Sequence, residues 1–364
     1  MKRIHQLTAG TFAIALASVV GLPIHASASG ISKGPYLQNP TQTEVTVCWV
    51  SDTEAVGEVS YKPLTGSGAS ETVKEDKPVT HHKVRIKGLA SYTRYSYEVL
   101  CQDRKGAGTF LTAAKPNQPF KFIGYGDNRT QPDKHAAVLR TMIPWKPDFV
   151  IQSGDLVADG TKEDQWTVFW ETAKPLVKDT AYFPALGNHE REGAPYFKYF
   201  EVPQEYSFEY GNTHFVAIDS NRPDSEFKAQ EEWLRKDLLA HKSATWRVVF
   251  FHHTPMTCVD MAARRSAADT MLKRLEPIFK EGNAQLIVNG HDHNYQHHMK
   301  DGIHYIVSGG GGAPLYKVVK DTPYVVQAET CHNHVRFEVN GKKMTIEGIR
   351  EDGTSIEKFE VTTK

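Results

Sequence analysis

The chain has 364 residues, which at roughly 150 residues per domain points to two domains, since few single cores grow past about 250–300 residues. Its 43 Lys and Arg balance 43 Asp and Glu, so no broad basic face is available for a nucleic-acid duplex or an acidic lipid surface. With 40% hydrophobic, 10% aromatic and 24% charged residues, the composition excludes disordered and collagen-like classes.

The first segment reads as an address. Lys2 and Arg3 precede an apolar stretch from Thr11 to Leu22, and Ala26-Ser27-Ala28 has the small-x-small form of a cleavage site. Residues 1–28 are therefore read as a signal peptide that sends the chain to the periplasm, the cell surface or the medium. The apolar stretch falls short of the roughly 20 residues that span a bilayer, so no stable membrane insertion is expected.

Residues 31–115 read as an all-β sandwich. Short alternating runs such as Glu44–Val50, Lys83–Ile86 and Tyr95–Val99 are separated by turn-forming clusters like Thr65–Ser70. Leu89, Thr93, Tyr95 and Tyr97 resemble the tyrosine corner of fibronectin type III domains, whose phenol ties a strand to the turn before it. Pro116–Pro119 has the composition of a linker. From 119 to 364 apolar strand runs alternate with helical stretches: strands at Phe120–Gly124, Phe149–Gln152, Tyr182–Leu186, His214–Ile218, Arg247–Phe251, Ala284–Val288 and Ile303–Val307, helices at Lys134–Met142, Ser225–Leu239 and Ala267–Phe279. That alternation predicts a layered α/β domain with its chemistry where strands end. Export permits disulfides, and the pairs Cys48–Cys101 and Cys258–Cys331 would each lie within one predicted domain; four buried thiols are the alternative.

Five of the predicted strands run into metal-ligand residue types. Gly126-Asp127, Gly154-Asp155, Gly187-Asn188-His189-Glu190, His252-His253 and Gly290-His291-Asp292-His293 each follow an apolar run. A carboxylate or imidazole at such a place is costly to desolvate unless a cation or hydrogen bonds offset it, and five together predict one cation site. Carboxylate, amide and imidazole donors suit divalent manganese, zinc or iron. The preceding glycines are expected to supply positive φ, swinging each side chain over the sheet. His291, His293, His297 and His298 put four of 17 histidines into eight residues, where random placement gives about 0.4.

In their order these five motifs are similar to those of the calcineurin-like metallophosphoesterases, nearest to the purple acid phosphatase-like branch. The resemblance spans the chain from Ile31 onward, since that branch often carries a fibronectin-like domain. It implies an αββα sandwich with two divalent ions at its loop edge, a bound hydroxide that attacks phosphorus, and a small phosphate ester as substrate. Carried over, Asp127 and His293 would hold the first ion, Asn188, His252 and His291 the second, and Asp155 both; His253 is the alternative to His252. His189 would protonate the leaving group and Arg129 would clamp phosphate, an ion pair with a structural acid being its other reading. Gly309–Gly312 could present N–H groups to phosphate, and His297 could reach substrate; a close-approach loop and a solvated loop are the respective alternatives. Ala158 stands where purple enzymes have a tyrosine ligand, and Arg129 where other branches have a histidine. The first ion thus lacks its usual fourth ligand, with water, Asn128 or His135 as substitutes. Phosphomonoester hydrolysis is the expected activity. The alternatives are a phosphodiesterase or nucleotidase on the same centre, and an inactive scaffold whose β-sandwich binds a partner.

Overall fold

Alternating side chains from Ile31 onward form strands in the structure, a computed structural model that describes residues 30–66, 68–191, 193–319, 322 and 324–363. The segment read as a signal peptide lies outside the described residues. Strands β1 (Ile31–Gln38), β2 (Glu44–Ala55), β3 (Gly57–Pro63), β4 (Glu71–Lys74), β5 (Val79–Lys87), β6 (Arg94–Cys101) and β7 (Arg104–Leu111) build two antiparallel sheets, β1-β2-β5 and β4-β3-β6-β7. Val45, Val47 and Trp49 share one core with Val59, Tyr61 and Val99 of the other sheet. The Tyr95 hydroxyl accepts the Ala90 N–H at 2.9 Å, tying β6 to the preceding turn.

The expected disulfides are corrected by this packing: all four cysteines are thiols. Strand alternation that turns Val47 and Trp49 inward turns Cys48 the other way, where its sulfur lies 3.4 Å from Gln38 Oε1. Cys101 instead faces the core between the sheets, 3.6 Å from His82 Nε2. Cys258 lies 3.9 Å from His298 Nε2.

Past Ala114 the pattern changes to strands and helices. The elements are β8 (Phe120–Tyr125), α1 (Pro132–Met142), β9 (Phe149–Gln152), α2 (Glu163–Val177), β10 (Ala181–Pro184), α3 (Ala194–Phe200), β11 (Tyr206–Tyr210), β12 (Thr213–Ala217), α4 (Asp224–Ala240), β13 (Trp246–His253), α5 (Ala262–Glu281) and β14 (Leu286–Gly290). After them come β15 (Tyr295–Lys300), β16 (Ile303–Ser308), β17 (Val325–Glu329), β18 (Asn333–Asn340), β19 (Lys343–Arg350) and β20 (Ser355–Thr362). They pair into a six-stranded sheet, β10-β9-β8-β18-β19-β20, and a seven-stranded sheet, β11-β12-β13-β14-β16-β15-β17. Helices α2 and α3, strands β11 and β15, and the strands from β17 on are not among the sequence expectations.

Each central strand is buried on both faces, so alternate residues serve different layers. Phe122 and Phe149 face the seven-stranded sheet; Phe122 meets Phe215 of that sheet edge-on at 5.1 Å and stacks at 4.5 Å on Phe337 of β18, its neighbour in the six-stranded sheet. Ile123 and Val150 face the other way into a core with Val138 and Leu139 of α1 and Phe169 and Trp170 of α2. Val216, Val249 and Ile287 do the same against Leu234 of α4 and Leu275 of α5. The result is an αββα sandwich, each fully buried Phe or Leu contributing roughly 1.5–3 kcal/mol. The amino-terminal sheets brace it: Tyr36 stacks on Trp170 at 4.3 Å and donates to the Tyr199 carbonyl at 3.0 Å. Among the described residues no helix is long and apolar enough to cross a membrane.

Neutral histidines buried in this sandwich make its stability acid-sensitive. Burial pushes His135 and His298 down to about 3, against about 6.5 in an unfolded chain. The unfolded state therefore binds more protons between those values; stability is full above about pH 6.5 and falls as pH drops toward 3. Denaturant unfolding at pH 7.5 and pH 5 should show the loss, up to about 1.4 kcal/mol per pH unit per ring. His135→Gln should flatten the slope, and an unchanged slope would contradict this account.

Candidate metal centre

Parallel pairing of β8, β9 and β10 in one sheet and of β12, β13 and β14 in the other sends their carboxyl ends to a common edge. Asp127, Asp155 and Asn188 follow the first three strands, His252 is the last residue but one of β13, and His291 and His293 follow β14. Three of these residues are themselves left-handed: Asp127 at φ 56°, Asp155 at φ 60° and His291 at φ 69°. Each such residue costs roughly 1–2 kcal/mol, sustained by the surrounding packing. The expectation that glycines supply the positive φ is thus corrected. Of the four preceding glycines only Gly154 has it, at φ 93°. There a Cβ would also lie 2.7 Å from Gly187 Cα and 2.8 Å from His252 Nδ1, so the glycine admits close approach of two strand ends.

The donors form two poles that share Asp155. At the first, His252 Nε2 lies 3.0 Å from Asn188 Oδ1, 3.1 Å from His291 Nδ1 and 3.5 Å from Asp155 Oδ1. His252 Nδ1 donates to the Ser153 carbonyl at 2.9 Å, which leaves Nε2 as a bare lone pair in the neutral ring. Lone pairs facing one another this closely require a cation or a proton between them. Burial disfavours protonated His252, but Asp155 and Asp127 outweigh it and hold its pKa above the ordinary value. Burial, then His252, His253 and Arg264, push His291 far down, so that ring stays neutral. His253, the alternative at this motif, is engaged with Ser220 Oγ at 2.8 Å, although its ring centroid is 4.3 Å from that of His291.

At the second pole His293 Nε2 lies 3.4 Å from Asp127 Oδ1. Asp127 Oδ2 accepts the His291 N–H at 2.8 Å, while Oδ1 is buried with no hydrogen-bond partner. Arg129 reaches in, its Nε 3.1 Å from Asp155 Oδ2 and its Nη2 3.4 Å from His293 Nε2. The other two candidates for a fourth donor are engaged elsewhere. Asn128 bonds the Leu156 carbonyl and Gln152, and His135 pairs with the Tyr125 hydroxyl at 3.1 Å. Burial opposes the charge of Asp155, but His252, His189 and Arg129 outweigh it and hold that carboxyl below the usual range.

His189 stands at the mouth, 28% exposed, with Nδ1 donating to the Ala158 carbonyl at 2.7 Å and Nε2 3.8 Å from Asp155 Oδ2. One sequence expectation is corrected, that for His297, and the two readings of the glycine-rich loop are decided in favour of close approach. His297 is buried in β15 between Glu357 and His304, each at 2.9 Å, away from the centre, because the strand alternates inward there. Gly309–Gly312 is a close-approach loop: the N–H groups of Gly309, Gly311 and Ala313 bond the Asn294, Gly126 and Asp127 carbonyls. Sequence reasoning assigned no role to Glu190, which is fully buried under the bridging loop and accepts the N–H groups of Asp155, Leu156 and Gly187 at 2.7–2.8 Å. The signal was present, since a carboxylate after Asn188-His189 inside an apolar surrounding needs partners.

The donor set fits divalent ions. Asp127, Asp155 and His252 bring ligand atoms within 4.8 Å of one another, as do His252, His253 and His291. The unpartnered Asp127 oxygen and the facing lone pairs are what a bound cation would satisfy.

Residues 120–295 match the family model of the calcineurin-like phosphoesterases. Among curated relatives, Purple acid phosphatase 18 of Arabidopsis thaliana is 25% identical over 39% of this chain and 37% of its own length. Probable purple acid phosphatase 20 of the same plant is 24% identical over 63% of this chain and 60% of its own. The chain therefore spans less than two thirds of these relatives. In fold it is similar to the purple acid phosphatase PPD1 of yellow lupin, with TM-score 0.78 and 18% identity over 90% of this chain and 74% of that one. Two joined donor poles at the strand ends of an αββα sandwich thus lie within a segment, residues 120–295, that matches the calcineurin-like phosphoesterases, and the chain is similar in sequence and fold to purple acid phosphatases.

Proposed function

We propose that the chain is an exported, metal-dependent phosphoesterase that hydrolyses small organic phosphate monoesters. The observation that carries this reading is the first pole, where Asn188, His252, His291 and Asp155 turn their lone pairs on one point. Asp127, Asp155 and His293 would serve a second cation. A divalent ion bound there supplies Lewis acidity toward phosphoryl oxygen and acidifies water. The chain's own residues supply the rest: Asp155 ties the poles together, and Arg129 lays a positive charge beside them that suits a phosphate dianion. His189, with its Nδ1 proton committed to Ala158, is oriented so that a protonated Nε2 would meet a leaving oxygen. Beside Arg129 a cleft of about 380 Å³, lined in part by Leu156, Val157, Ala158, Val168 and Phe169, offers apolar room for an organic alcohol.

Steady-state rates on an aryl monoester, an alkyl monoester and a diester, before and after chelation and with manganese or zinc restored, test the reading. Activity should vanish on chelation, return with metal and favour monoesters; faster diester turnover would replace the substrate class, and indifference to chelation would end the proposal. In the same assay His189→Ala should lower kcat about 10²–10⁴-fold with metal content intact, and less for the aryl than for the alkyl ester. An equal loss on both would remove His189 from the acid role.

A further inference from the structure

We infer that the Arg129 guanidinium is itself the second cation of this centre, so that the protein holds one divalent ion tightly, at the Asn188–His252–His291 pole. The inference rests on the metal-dependent reading above and concerns what fills its second pole.

That pole has three protein donors, Asp127, Asp155 and His293, and the guanidinium addresses two of them. His293 Nδ1 lies 2.6 Å from the Pro314 carbonyl, which can only accept, so Nδ1 carries the proton and Nε2 is a bare lone pair. Arg129 Nη2 lies 3.4 Å from that lone pair, and Nε donates to Asp155 Oδ2 at 3.1 Å. These are two of the three donors that a second ion would need, the third being the Asp127 carboxylate. A guanidinium has five N–H donors, no acceptor and a permanent charge, so it cannot become a ligand and repels a dication placed against it. Its position is built rather than incidental. The turn that carries it has Asp127 and Thr130 left-handed, at φ 56° and 77°, and Asn128 between them is pinned by Leu156 and Gln152. Arg129 Nη1 is anchored on Thr130 Oγ1 at 3.1 Å, and the side chain is only 13% exposed. At the first pole, by contrast, the lone pairs of Asn188, His252 and His291 face one another directly, an arrangement that asks for an ion.

The test is a metal count that does not depend on turnover. Full-length wild type is stripped with chelator, reloaded with Mn²⁺ or Zn²⁺, freed of excess by gel filtration and analysed for metal, with a calorimetric titration alongside. Wild type should saturate at one tight ion per chain. Arg129→His, which exchanges the guanidinium for a donor, should take up two, and Arg129→Lys, which keeps the charge, should stay at one. Arg129→Ala should bind a second ion at least about tenfold more tightly than wild type does. Two comparably tight ions in wild type, or a single ion in Arg129→His, would overturn the inference and leave metal dependence standing. No bound ion in wild type would overturn metal dependence itself and this inference with it. Should Arg129→Ala fail to fold, the counts for wild type, Arg129→His and Arg129→Lys still decide.

Discussion

Asp155→Asn is expected to abolish turnover and empty the centre of its metal while leaving the fold intact. The carboxylate is 1% exposed and its two oxygens address both poles. Its Oδ1 accepts the His189 N–H at 2.9 Å and lies 3.5 Å from His252 Nε2, while its Oδ2 takes Arg129 Nε at 3.1 Å. Asparagine keeps the shape and loses the charge, and its amide group would turn N–H donors toward either Arg129 or the backbone of His189. The raised pKa of His252 also depends first on Asp155 among its charged neighbours, so the remaining ligands lose their shared counter-charge. Removing one partner of a buried charge cluster costs about 3–5 kcal/mol, or roughly two to three and a half decades in ion affinity or rate. Elemental analysis and kcat/KM measured together check this, with a thermal melt as the folding control. A variant that keeps its metal and more than a tenth of its activity would show that Asp155 does not join the poles.

How far this centre could be seen in advance follows from which of its properties are local. Strand ends are local: an apolar run stopping at Gly-Asp or Gly-His is visible in the chain, and Asp127, Asp155, Asn188, His252, His291 and His293 do converge. Strand partners are not local. Nothing in Asn333–Asn340 says that β18 pairs antiparallel with β8 and inserts Phe337 beside Phe122, because alternation assigns a face and leaves the neighbour open. Helix α2 escaped notice for a related reason. Its apolar stripe of Trp166, Phe169, Trp170 and Ala173 is broken by Pro175 in the last turn, and its stability comes from packing against α1 and Tyr36. Cys48 failed as a disulfide partner because proximity in sequence said nothing about which side of β2 it occupies. Arg129 was legible as a charge near a ligand, but whether it faces solvent phosphate or turns back onto Asp155 depends on the left-handed turn at Asp127–Thr130, a tertiary outcome. The glycines misled in the opposite direction: their freedom of φ suggested a backbone role, and the packed strand ends used their missing side chains instead.

Glu190→Gln should be nearly as damaging as the loss of a ligand, although Glu190 faces no substrate. Both of its oxygens are spent on main chain. Oε2 accepts the N–H groups of Asp155 at 2.8 Å and Gly187 at 2.7 Å, and Oε1 accepts those of Leu156 at 2.8 Å and Val157 at 3.4 Å. Only a carboxylate has two acceptor oxygens for this set; glutamine would present an NH₂ group to one pair of N–H donors, leaving them buried, unpaired and facing other donors. The strain would fall on the loop that holds Asp155 at φ 60° and on the turn that carries Asn188, so both poles would shift together. Burial, followed by the Asp155 charge, raises the Glu190 pKa to about 7, so this anchor is poised to weaken on acidification as well. The expected cost is about 2–5 kcal/mol of stability, read as a fall in denaturation midpoint, with metal affinity lowered about 10–100-fold. Glu190→Asp, which keeps both oxygens but retracts them, should recover part of the affinity, a rescue that a residue merely filling space would not give. Full stability and unchanged metal affinity in Glu190→Gln would mean that the bridging loop holds its strained shape without the carboxylate.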